Sequence, residues 1–171
     1  MCVLFVSAVA SAAITGSGEA LAVFDAFGPA GLKIQGKTRQ VTVAQQGGNV
    51  VITVASGSFD TGIEIRNRHM RDKYLETGKY PNAVLTVARS ALQLPTNGAD
   101  VSASSAGTLN LHGQTRPITI SYRARRAGDT YTVTGLAHIN MTVYGIAQPS
   151  FLGITVKPDV DVTVSFSAKD N

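Results

Sequence analysis

A chain of 171 residues with 44% hydrophobic and 15% charged residues can bury a real core as one domain, which excludes a disordered tail or a coiled coil. Aromatics make up 6% with no Trp, and 17 glycines are spread among short Val, Thr and Ser runs, which favours many strands joined by turns over long helices. The net charge of +4 is thinly distributed apart from Arg66, Arg68, Arg71, Lys73 and Arg123, Arg125, Arg126; without a concentrated patch and stacking aromatics this argues against nucleic acid, while transient contact with an anionic membrane stays compatible.

The chain opens on an apolar run from Met1 to Ala13 that is too short to span a bilayer. It reads as a remnant of a secretory signal over residues 1–12, with Ala10-Ser11-Ala12 as the small-residue cleavage end, although no Lys or Arg precedes it. A buried first strand is the competing reading. Cys2 is the one cysteine and leaves with a signal, so the expected mature domain, residues 13–171, has no disulfide; a periplasmic or secreted location follows from the signal reading.

Past this run, apolar residues alternate with polar or small ones at period two, as strands with one buried face require. Leu21, Val23 and Phe24 begin the series, followed by Leu32 and Ile34, then Val41 and Val43. A Gly47-Gly48-Asn49 turn leads into Val50, Ile52 and Val54, which predicts a hairpin. Ile63 to Leu75 breaks the period: Asp60 and Thr61 stand ready to cap it, Gly78 follows its end, and Met70 and Tyr74 share a face, so this is the expected helix and a natural lid.

Strands resume with Ala83, Leu85 and Val87, then Leu109 and Leu111, then Ile118, Ile120 and Tyr122. The last two are Val133, Gly135, Ala137, Ile139 and Val160, Val162, Val164, Phe166. Turns are expected at Pro95–Asp100 and Ala127-Gly128-Asp129. About eight such strands can close into an antiparallel, lipocalin-like barrel with room for one slender ligand. Periodicity alone leaves open whether the interior is a cavity or a packed sandwich core.

Three segments resemble the YceI family of lipocalin-like, polyisoprenoid-binding proteins of the bacterial periplasm. They are Ser58-Phe59-Asp60-Thr61-Gly62 with Arg66-Asn67-Arg68-His69-Met70 and Lys73-Tyr74-Leu75; Lys79-Tyr80-Pro81; and Gly107-Thr108-Leu109-Asn110-Leu111-His112-Gly113-Gln114-Thr115-Arg116-Pro117-Ile118. The resemblance implies non-catalytic binding or transport of a polyisoprenoid lipid or quinone in the barrel, with no other cofactor. Two stretches depart from the family pattern, Val23–Ile34 and Met141–Ile146, and both belong to one end of the pocket. A secreted interaction or stress-response scaffold with no bound lipid is the alternative. A dimer is compatible with the sequence, but no residue pattern specifies one.

The candidate lining is Val50, Ile52, Val54, Leu85, Val87, Leu109, Leu111, Ile118, Ile120, Tyr122, Val133, Ile139, Val162, Val164 and Phe166. Arg66, His69, Met70 and Tyr74 are candidates for a head-group contact or lid, with Arg66 and His69 expected mainly to lock the helix to a neighbouring loop through Asp60 or Tyr80. His112 is expected to bond backbone groups in its own turn, and His138 to face outward. The three histidines lack the local spacing of a metal-ligand pair, and neither a G-x-S-x-G nor a phosphate loop is present, so no metal and no catalytic residue are assigned.

Overall fold

The computed structural model describes residues 12–171; the expected leader therefore lies outside them except for Ala12. The strands, in chain order, are β1 (Ile14–Phe27), β2 (Lys33–Thr38), β3 (Val41–Gln46), β4 (Asn49–Ala55), β5 (Asn82–Ala88), β6 (Asp100–Leu111), β7 (Gln114–Ala127), β8 (Thr130–Asn140), β9 (Ser150–Phe151), β10 (Ile154–Thr155) and β11 (Asp159–Asp170). All but β9 and β10 share one sheet, and pairing of β1 with β11 closes it. Because β2 and β3 pair with successive halves of β1 and are separated only by Arg39-Gln40, they act as one bent strand, which makes an eight-stranded antiparallel barrel.

Alternation sets most strand phases as expected. On β8, Val133, Gly135, Ala137 and Ile139 point inward while Thr132, Thr134, Leu136 and His138 point out. The Gly47-Gly48 and Gly128-Asp129 turns join β3 to β4 and β7 to β8 as their chemistry requires. In β1 the phase is opposite to the expectation. Ala22, Phe24 and Ala26 face inward, and Leu21 and Val23 sit on the other face. Size misleads here, because small alanines hold the inner positions where β1 packs closely, with Gly36 on β2 leaving room for the Phe24 ring; a β-carbon there would lie 2.2 Å from that ring.

One end of the barrel carries short connections and is plugged. β5 and β6 pair only from Val84 to Thr86, and the segment that follows β5 folds in to bring Leu92 and Leu94 against Val43, Val50 and Ile14. The Tyr122 hydroxyl accepts from the Gln93 amide at 2.7 Å and donates to its carbonyl at 3.2 Å, so this inward phenol has both its needs met. Arg89 then ties the end shut: its guanidinium reaches both oxygens of Asp170 at 3.0 Å, Gln45 at 2.6 Å and the Ala12 carbonyl at 2.7 Å.

The other end carries the long connections. The helix α1 is shorter than its periodicity predicts, running Glu64–His69 and passing into a π-helical turn at Met70–Tyr74, closed by Leu75 N–H to Met70 O. Asp60 and Thr61 do not cap it; its N-terminal neighbour Ile63 has no side-chain cap. Instead the buried Asn67 reaches back from the helix, accepting from the Thr61 amide and hydroxyl and donating to Asp60. That network lowers the Asp60 carboxyl pKa, chiefly through the Gly62 amide and then Asn67.

Candidate functional site

Two apolar chambers occupy the barrel. The lower, about 140 Å³, is walled by Val50, Ile52, Leu85, Val87, Ile120, Tyr122, Val133, Val164 and Phe166, all anticipated, together with Leu92, Leu94 and Tyr131. The upper, about 560 Å³, includes Leu109, Leu111 and Ile139 in its wall and opens beneath the helix. Val54, Ala83 and Val162 belong to both walls and form the waist between them. Ile118 packs against the core clusters on either side without reaching a chamber wall.

Several inward residues, among them Val162, Val164 and Phe166, are only half-buried. They face empty space rather than protein atoms, because the mid-sized side chains of facing strands are too short to meet across the barrel. The upper volume falls within the range of about 300–1,000 Å³ common to ligand sites.

The upper chamber has an apolar body and a polar rim. Phe24, Ile34, Phe59, Leu75, Met141, Ile146 and Val156 add to its wall, with Phe24 and Phe59 edge to face at 5.1 Å. Sequence periodicity missed most of these because they come from loops, or from β1 with its phase reversed; contact between segments far apart in the chain leaves no period. Arg66, His69, Met70 and Tyr74 all line this chamber, as does Lys73, whose amine lies 5.3 Å from the Tyr74 ring centre.

The roles within that group differ from expectation. Arg66 does lock the helix, but to Thr61, donating from Nε to the hydroxyl at 2.8 Å and from Nη2 to the carbonyl at 2.7 Å. His69 takes no part in locking: it is exposed at the rim with no hydrogen-bond partner among the described residues, because Asn67 fills the position facing the loop. The rim thus presents the cations Arg66 and Lys73 and the imidazole of His69, and no carboxylate or thiol lines either chamber among the described residues.

His112 also departs from its expected local role. Held at φ 52° in the β6–β7 turn, it bonds Glu76 through Nε2 at 2.9 Å and the Tyr144 carbonyl through Nδ1 at 3.1 Å, while its ring lies 4.7 Å from that of Tyr80. It therefore pins together three connections around the mouth. The Glu76 carboxyl is held below its ordinary pKa, first by a hydrogen bond from Lys79 and then by His112. His138 faces outward, bonded to Asp161 across the β8–β11 pair. No group of three or more His, Cys, Asp or Glu that could hold a metal occurs among the described residues.

Residues 15–168 match the YceI-like domain family. A polyisoprenoid binding domain from Saccharophagus degradans implicated in plant cell wall breakdown superposes with a TM-score of 0.78 at 19% identity, covering 94% of this chain and 99% of its own. BcnA of Burkholderia cenocepacia gives 0.68 at 16% identity, covering 88% and 96%. The Campylobacter jejuni YCEI protein gives 0.55 at 14%, covering 77% and 80%. At these identities the likeness speaks for the fold alone. No curated protein sequence matches the chain.

Proposed function

Because the chain belongs to the YceI-like family, we propose that it binds and carries a long apolar ligand of the polyisoprenoid class inside the barrel and catalyses no reaction on it. The carrying observation is the pair of apolar chambers that share Val54, Ala83 and Val162 as a waist. A slender, jointed hydrocarbon suits a space of that form, whereas a compact ligand would leave the lower chamber empty. The Saccharophagus degradans neighbour, named for polyisoprenoid binding, supports the choice of ligand class.

Burial of hydrocarbon supplies the binding energy without any catalytic group. Each buried CH₂ contributes about 0.8 kcal/mol, so about ten of them offset a substantial part of the cost of association. The open interior weighs against the alternative of a filled scaffold acting only through its loops. The reading extends to a periplasmic or secreted protein, with the apolar run ending at Ala10-Ser11-Ala12 as its support.

Native mass spectrometry of protein purified gently from cells tests this. A bound lipid of discrete mass is expected, and Leu109→Arg should abolish it by placing an unpaired charge in the upper wall. Leu109→Phe, which keeps the wall apolar but narrows it, should fold and carry less. A protein that emerges bare and takes up neither a polyprenol nor a polyprenyl quinone would overturn the assignment.

A further inference from the structure

The mouth of the upper chamber is ringed by large apolar side chains that the fold leaves uncovered. Phe151 and Leu152, at the tip of the β9–β10 hairpin, are 72% and 86% exposed, and Ile63 and Ile65 of the helix region, Ile154 and Leu32 are exposed beside them. Leu32, Ile65, Phe151 and Ile154 also line the chamber, so this apolar surface is the rim of the cavity itself. Exposed apolar groups gathered in this way mark an interaction site, whereas scattered ones do not.

The hairpin tip makes the point independently. Leu152 and Gly153 take φ 48° and 78°, the left-handed pair of a primed two-residue turn, where Asn-Gly or Gly-Gly is the favoured pairing. A bulky aliphatic residue in the first of those positions opposes both the backbone preference and solvation. The hairpin pairs only with itself, and Leu152 is 86% exposed, so little packing of its side chain offsets that conflict. Conflict between local preference and observed residue of this kind is expected at functional positions.

Charge identifies the occupant. The exposed cations Arg68 and Lys73 flank the apolar helix face, and Lys33 and Lys157 stand at the same end of the barrel, the latter fixed there by the hydrogen bond its backbone N–H donates to the Phe27 carbonyl. Glu64 is engaged by Arg71 at 3.0 Å, Asp25 by Lys33 at 3.1 Å and Glu76 by Lys79 at 3.0 Å, so the charges at this end without an ion-pair partner among the described residues include Arg66, Arg68, Lys73 and Lys157 against Asp60, Asp72 and Asp159, a small positive excess. An apolar tip within a cationic collar matches the headgroup zone of an anionic bilayer: side chains enter the acyl boundary while amines and guanidinium groups meet lipid phosphates.

We propose that the rim formed by Phe151, Leu152, Ile154, Ile63, Ile65 and Leu32 docks on an anionic lipid bilayer and holds the cavity mouth against it. In that pose an apolar ligand passes between bilayer and upper chamber without crossing water. The passage rests on the ligand reading above; the docking does not.

Flotation of the full chain with vesicles separates the outcomes. Wild type should float with vesicles of phosphatidylcholine mixed with phosphatidylglycerol, less with phosphatidylcholine alone, and less as salt is raised. Phe151→Ser combined with Leu152→Asn, in which Asn suits the left-handed position, should fold normally and lower that partitioning by at least about tenfold. Equal flotation of variant and wild type would overturn the docking. So would a wild-type dimer that the variant converts to monomer while neither form binds vesicles, which would make the rim a contact between copies of this chain. Flotation of wild type, lost in the variant, with no lipid adduct in any form would uphold docking and remove only the passage of ligand.

Discussion

His112 shows how a single side chain can carry tertiary information. Its motif, Leu-His-Gly-Gln, marks a turn, and the turn is there, but its partners Glu76 and Tyr144 lie 36 and 32 residues away in the chain. Because the folded Glu76 carboxyl has a lowered pKa, its contribution is complete above its ordinary value of 4.5 and fades as pH falls through the lower folded value. Glu76→Gln should therefore melt below wild type at neutral pH, and the gap should close as the medium is taken below about pH 4. A gap that stays constant between pH 7 and pH 3 in thermal melts would remove Glu76 from the clamp. The inward residues of most strands were legible one by one because period two is local; the partners of His112 were not, since hydrogen bonds between distant segments obey no spacing in the sequence.

At the scale of elements, the helix and the plugged end illustrate the same division. The apolar and charged residues of 63–75 announce a helix, yet its length was settled by Asn67 and Arg66 binding the Asp60–Thr61 loop and by the π-helical turn that follows. At the opposite end, Arg89 sits in a segment with no strand or helix signal and joins the Ala12 carbonyl before β1 and Gln45 of β3 to Asp170 at the end of β11. The pair is mostly buried, with side chains 23% and 11% exposed. Arg89→Met leaves the Asp170 carboxylate with only the Tyr131 hydroxyl at 3.3 Å, and should cost about 2–4 kcal/mol in urea unfolding. Adding Asp170→Leu should recover part of that loss, because no unpaired charge then remains; a strictly additive double variant would show that the two residues do not act together.

For the whole molecule, the decisive feature is that the barrel is wider than its own lining can fill. The waist at Val54, Ala83 and Val162 sets how far a ligand reaches. Val162→Trp should close it, at a packing cost of about 1–3 kcal/mol, and so exclude long chains while short ones still enter the upper chamber. Competitive uptake of short and long polyprenols read by native mass spectrometry checks this, and unchanged retention of the long chain would mean that the ligand does not cross the waist. The sequence by itself determined a succession of alternating strands, the place of its helix and most of its inward faces, because alternation, turn residues and chain breaks are properties of neighbouring residues, while the barrel form was implied by the family resemblance. Only the tertiary structure decided that the interior stays open, that loops and a phase-reversed β1 complete the upper wall, and that apolar residues gather at its mouth, because those depend on distances across the barrel between segments whose separation in the chain says nothing of their separation in space.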